Sequence, residues 1–174
     1  MVLSQSVRCT KSTKSLLPSR DVPTRGIRAH NPQWGYWQGY EWSPWHRIDG
    51  ESGQNIVYAK GRNPAPEIPG LYRIRCTRHA GLEYIGMSAT SLRARLYTCW
   101  LSAVHLESGG NATRHPYSEH LVAHARSGRQ VSVSWTALDG LDKVELFGIE
   151  CELIAAYRAT RGRNPAHQFG VKEV

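Results

Sequence analysis

The sequence is poor in the features that assign a chain to a class at first sight. No two of its four cysteines, Cys9, Cys76, Cys99 and Cys151, form a CxxC pair, and no secretory h-region precedes them. Neither a zinc ribbon nor a disulfide scaffold is therefore signalled, and a reducing cytoplasmic compartment fits best. No apolar stretch approaches the roughly 20 residues of a membrane-spanning helix. No repeat supports a modular aromatic motif. Acidic residues are few: 14 Asp and Glu stand against 22 Lys and Arg, giving a formal charge of +8 and a pI near 9.6. That balance favours a polyanionic partner such as nucleic acid, although ribosomal and membrane-surface proteins are equally basic.

What is present suits one domain of ordinary size, since 174 residues with a 40% apolar fraction can bury a real core. Residues 1–29 form a basic tail. Arg8, Lys11, Lys14, Arg20, Arg25 and Arg28 are opposed only by Asp21, a net +5. The tail is rich in Ser and Thr and has no hydrophobic periodicity, so it reads as a flexible phosphate-seeking arm. A transit peptide shares that composition, but the tail lacks an amphipathic helical pattern. Residues 30–68 are an aromatic-rich extension in which Trp34, Tyr36, Trp37, Tyr40, Trp42 and Trp45 crowd together. Such rings pack onto the following domain or a second subunit, or stack on bases. A short strand is expected at Asn55–Ala59.

Regular structure is expected from Pro69 onward. GLYRIRC (70–76) and LEYIG (82–86) are β-rich runs around a turn-prone TRHAG, the pattern of a hairpin. Ser88 to about Glu107 reads as a helix, capped by Ser88 or Thr90, with Leu92, Leu96, Cys99, Trp100 and Ala103 at helical spacing. A short helix follows from Pro116 to Gly128, then a strand VSVSWTAL (131–138), then a helix from about Leu141 to Arg161. The order β-β-α-α-β-α predicts an α+β domain over residues 69–174, a small three-stranded antiparallel or mixed sheet flanked by helices.

On the last helix one residue stands out. At about 100° per residue, Leu146, Phe147, Leu153, Ile154 and Tyr157 all fall within about 60° of Glu150. Glu145 and Glu152 lie more than a right angle away, where solvated carboxylates belong. A carboxylate in an apolar stripe must pair with a cation, bind a metal or become protonated. A buried Glu–Arg pair would satisfy it. However, the hairpin also supplies Tyr72 and Tyr84, and the next helix supplies Arg93 and Arg95. A carboxylate, a guanidinium and two phenols are what phosphodiester cleavage needs. The carboxylate holds a hard divalent cation, the guanidinium grips nonbridging oxygens, and a phenol takes or relays the proton of the attacking water.

GLY at 70–72 followed by YIG at 84–86 resembles the paired motif of the GIY-YIG nuclease superfamily. The likeness continues through SATSLRARL, similar to the helix bearing that family's catalytic Arg. It extends to ECELI at Glu150, similar to the metal-binding helix, and to Asn164 in RGRNPAHQFG. Four elements in consistent order cover roughly residues 69–170. The resemblance implies Tyr72 as general base, Tyr84 as an orienting or relaying phenol, Arg95 on the scissile phosphate and Glu150 on a single Mg²⁺, with Mn²⁺ as a substitute. It also implies Asn164 as a supporting residue. Leu71 replaces the family's Ile, one extra residue near Met87 keeps Arg93 as a rival to Arg95, and Cys99 stands where many members carry a His. His105 or His115 could take that place. His120 and His124, an i, i+4 pair, read as surface residues.

The expectation that follows is an Mg²⁺-dependent endonuclease acting on double-stranded DNA. The chain ends soon after its last helix, which resembles the compact type II restriction enzymes of that family. A homodimer is expected if the site read is palindromic. Phage, mobile-element, repair and toxin nucleases are the alternatives within the family. A noncatalytic nucleic-acid-binding protein and a zinc-stabilised structural protein are the alternatives outside it.

Overall fold

In the computed structural model the described residues are 35–48, 65–77, 80–107 and 115–169. The basic tail, Trp34, the strand expected at Asn55–Ala59 and residues 108–114 lie outside them. Among the described residues the chain is α+β, with three helices and two antiparallel sheets. A two-stranded hairpin joins β1 (Tyr36–Trp37) to β2 (Tyr40–Glu41). A four-stranded sheet has the order β3 (His46–Arg47), β6 (Val131–Ala137), β4 (Gly70–Cys76), β5 (Tyr84–Ser88). The helices are α1 (Leu92–Glu107), α2 (Ser118–Arg126) and α3 (Lys143–Arg161).

The sheet thus has one strand more than the sequence predicts. β3 is two residues long, pairing His46 with Val133 and Arg47 with Ser132. A strand that short carries no period-2 signal. The extension that contains it is built into the core: Trp37 and Trp42 are buried with Leu71, Ile85, Leu153, Ile154 and Tyr157 on one face of the sheet. The opposite face is covered by α1 and α2, whose Leu92, Leu96, Leu121 and Val122 pack on Tyr72, Ile74, Val133 and Trp135. β4 lies between β5 and β6, so successive residues of GLYRIRC enter opposite buried layers.

Helix α1 starts at Leu92, four residues later than the sequence suggests, because Ser88 still pairs with Gly70 in the sheet. The cap is Ser91, not Ser88 or Thr90: its Oγ accepts the Ala94 N–H at 3.1 Å. Ile68 and Pro66 carbonyls accept the Leu92 and Arg93 N–H groups, both at 3.0 Å. At α3, Asp142 and Glu145 form a reciprocal capping box, and Gly162 closes the helix at φ 72°. Beyond α3 the chain runs back along the outer edge of β5. The Gln168 side chain imitates a strand there, accepting from Ile85 N–H and donating to Ile85 C=O, both at 2.9 Å. An otherwise unpaired sheet edge is thereby closed.

Candidate functional site

The site forms where the two layers meet at the β5 edge. Tyr72, at the middle of β4, faces Gly86 across the ladder. A Cβ on Gly86 would stand 2.5 Å from Tyr72 Cζ and Oη and 2.7 Å from Tyr84 Cε1. The last residue of YIG must therefore be bare for the two tyrosine rings to lie where they do, with centroids 6.1 Å apart. Gly70, the first residue of GLY, is equally confined, since a Cβ there would strike the Thr136 carbonyl and Leu92.

Tyr72 Oη is 2.8 Å from His115 Nε2. The His115 Nδ1 accepts the Tyr117 N–H at 3.2 Å. Burial, with the Arg95 charge adding to it, lowers the His115 pKa to about 3, so the ring is neutral. A neutral imidazole whose Nδ1 accepts must carry its proton on Nε2. His115 therefore donates to Tyr72. The Arg95 guanidinium and the Tyr84 phenol stand close enough to Tyr72 to perturb its ionisation. Burial, followed by the neighbouring Tyr84, drives the Tyr72 pKa well above its ordinary 10, while Arg95 opposes the rise. Tyr84 is raised by burial and then by the Glu150 charge.

Glu150 approaches from α3 and shares with Tyr84, Arg158, Asn164, Gln168 and Phe169 a groove of about 370 Å³. It is the sole carboxylate among the groove's described lining residues. Burial raises its pKa to about 7, and the nearby Arg95 draws it back only in part. The helical wheel places Glu150 at the centre of a buried stripe. In the fold the buried side of α3 is Leu146, Leu153, Ile154 and Tyr157, whereas Phe147 is exposed. Glu150 sits at the margin of that stripe, half-buried and facing the groove.

Tyr72, Tyr84, Arg95, Glu150 and His115 are thus brought into one neighbourhood, with Asn164 on the groove wall. Arg93 is turned away: its Nη1 pairs with Glu67 at 2.6 Å and its Nε donates to the Ala65 carbonyl at 2.9 Å. The His105 side chain lies outside the described residues. Cys99, where a His was a family expectation, is fully buried with its thiol pKa pushed up to about 12, which leaves it unreactive. His124, read from sequence as a surface residue, is buried, and its Nε2 lies 3.1 Å from Glu83 Oε2. His120 stacks on His167 with centroids 3.6 Å apart. Glu83 itself was missed. It is a fully buried carboxylate set between Leu82 and Tyr84, and the argument that isolates Glu150 applies to it equally.

No family model matches the chain, and no curated protein or solved structure matches it either. Among the described residues, no helix is long and apolar enough to cross a membrane.

Proposed function

We propose that the protein is a Mg²⁺-dependent endodeoxyribonuclease of the GIY-YIG type, with Tyr72, Tyr84, Arg95 and Glu150 as its catalytic residues. The observation that carries this reading is the meeting of the four from β4, β5, α1 and α3, with Tyr84 and Glu150 on the groove wall and Arg95 close enough to act electrostatically on Tyr72 and Glu150. A desolvated carboxylate whose pKa has risen to about 7 is suited to a hard divalent cation, which replaces the missing hydration. Glu150 would hold it; when bound, such an ion stabilises charge on the leaving oxygen.

The chain's own groups supply the rest. Arg95, half-buried and close enough to Glu150 to lower its pKa, would supply donors to a phosphate held beside that carboxylate. The His115 N–H donates toward Tyr72 Oη and the Arg95 charge opposes the rise in its pKa, which partly offsets the burial that holds the phenol neutral. Tyr72 has no exposed surface and Tyr84 lines the groove. A water at the groove therefore meets Tyr84 first, and Tyr72 acts through that phenol. His115 holds Tyr72 in orientation. The exposed rings of Phe147 and Phe169 flank the same groove, available to stack on bases. A type II restriction enzyme of this kind would act as a homodimer on a palindromic double-stranded site.

Supercoiled plasmid incubated with Mg²⁺ or EDTA tests the reading. Wild type should yield Mg²⁺-dependent fragments, Glu150→Ala none, and Arg95→Ala about a hundredfold fewer per unit time, the usual cost of losing one preorganised charge-stabilising group. Discrete bands would favour restriction, and a smear a repair or toxin role. Intact DNA that still shifts on a gel would replace catalysis with binding.

A further inference from the structure

A second cluster of polar side chains lies beyond Tyr117, away from the groove. Cys76 at the end of β4, Glu83 at the entry to β5 and His124 on α2 are all buried. One donor atom from each lies within 4.8 Å of the other two. Cys76 Sγ is 2.8 Å from Glu83 Oε1, closer than sulfur and oxygen in van der Waals contact. His124 Nε2 is 3.1 Å from Glu83 Oε2. His167, from the segment after α3, brings its Nε2 to 2.9 Å from that same oxygen. His167 helps hold the Glu83 carboxyl low, but its Nε2 is not one of the three donor atoms that lie mutually close.

We propose that Cys76, Glu83 and His124 hold a Zn²⁺ ion as the three protein ligands of a structural site. The donor chemistry suits that ion: thiolate, carboxylate and imidazole are its three protein ligand types. The charge balance suits a dry interior, because one thiolate, one carboxylate and one neutral imidazole make a neutral unit with a dication. Binding releases the thiol proton to solvent. All three ligands are buried in the core, so the ion would serve the fold rather than catalysis.

The position gives it a purpose. Four separate segments meet there, and one of them, residues 165–168, is held against β5 by Ala166 N–H to Leu82 C=O and His167 N–H to Glu83 C=O. The same segment carries Gln168 to the groove wall. Tyr117 spans the two clusters, its ring centroid 6.0 Å from both Tyr84 and His167. A zinc ion here would pin β4, the entry to β5 and α2 together beneath that segment.

The site does not depend on the nuclease reading and is tested without activity. The full chain, purified without a polyhistidine tag, should contain about one zinc per molecule by plasma mass spectrometry, as a structural site does. After zinc is stripped with a chelator, the melting temperature should fall and Co²⁺ should restore it. Bound Co²⁺ should give the intense visible bands of tetrahedral coordination and a near-ultraviolet thiolate charge-transfer band. Cys76→Ser should lose that band while Cys151→Ser, at an exposed thiol, keeps it. Glu150→Ala should retain the zinc whatever its effect on DNA. A wild-type chain that is metal-free and shows no charge-transfer band with Co²⁺ would overturn the proposal, as would a band that persists in Cys76→Ser. In the first case the cluster is a hydrogen-bonded polar network alone.

Discussion

Glu150 shows how a single side chain can link stability to function. Its pKa is raised from 4.5 to about 7, so the folded state holds the proton more tightly than the unfolded chain does. Ionisation therefore works against folding, and stability is lost as pH rises from the ordinary carboxyl value through about 7. Glu150→Gln removes that loss. The variant should match wild type near pH 4.5 and exceed it above pH 7 by about 1–2 kcal/mol, after discounting for solvent at the groove. Chemical denaturation at a series of pH values checks this, and an advantage that does not grow with pH would refute it. Such a gain in stability on removing a group is expected where a charge is kept for chemistry. Gly86 makes the complementary case. In Gly86→Ala the methyl group meets the Tyr72 phenol, at a cost of about 1–3 kcal/mol of overpacking. Cleavage should fall along with thermal stability, because the displaced ring is the one that His115 holds. Gly148→Ala, on an α3 position with nothing within 4 Å, is the control and should stabilise by up to about 1 kcal/mol, the helix-propensity difference.

Among the elements, the clearest constraint is the aromatic cage on the outer face of β4. Arg73 is fully buried, with its guanidinium carbon 4.4 Å from the Trp42 ring centroid, 4.8 Å from Trp45 and 5.6 Å from Trp37. Burial, then repulsion from Arg75, lowers its pKa to about 9. The extension is thus fastened to the sheet by ring faces over a cation. Trp42, whose Nε1 donates to the Trp37 carbonyl at 3.1 Å, stands at the centre. Trp42→Ala should cost about 3–5 kcal/mol, measured by urea denaturation, whereas a loss below about 1 kcal/mol would place the extension outside the cooperative unit. The same elements show what the sequence made legible. β4 runs over 70–76 as expected, and β6 and α3 begin or end within two residues of expectation, because each carries a full period of apolar residues. β3 was invisible, being too short to alternate. Arg73 and Glu83 were hidden within strand runs whose apolar neighbours masked them. Their burial depends on tryptophans and histidines far along the chain, and no local window holds both partners. The grouping of Tyr72, Tyr84, Arg95 and Glu150 was legible only through motif order, and nothing in the spacing excluded Arg93. The tertiary pairing of Arg93 with Glu67 gives that residue another partner.

For the whole molecule, charge decides how a DNA partner would be met. The formal charge is +8, and residues 1–28 carry six of the 22 basic side chains with one acid, a net +5. Arg158 lines the groove and Arg95 acts on Glu150, but most of the excess basic charge belongs to the N-terminal segment of the sequence. Removing residues 1–28 should therefore weaken binding of a duplex to Glu150→Ala protein without altering the rate of a single bound turnover in the wild-type background. The salt dependence separates the two contributions. Each phosphate neutralised adds about 0.9 to the steepness of log K against log salt, so a tail that engages fully would steepen the slope by up to about 5. Fluorescence anisotropy with a labelled duplex across a salt series reads this directly. A slope unchanged by the deletion would mean that the tail does not touch DNA, and the phosphate contacts would then have to come from the folded body. If slope and affinity both fall while the single-turnover rate holds, the tail supplies encounter and the groove supplies chemistry. Debye screening confines a surface charge's influence to about 10 Å, so the tail can add to affinity only where it comes that near to phosphates.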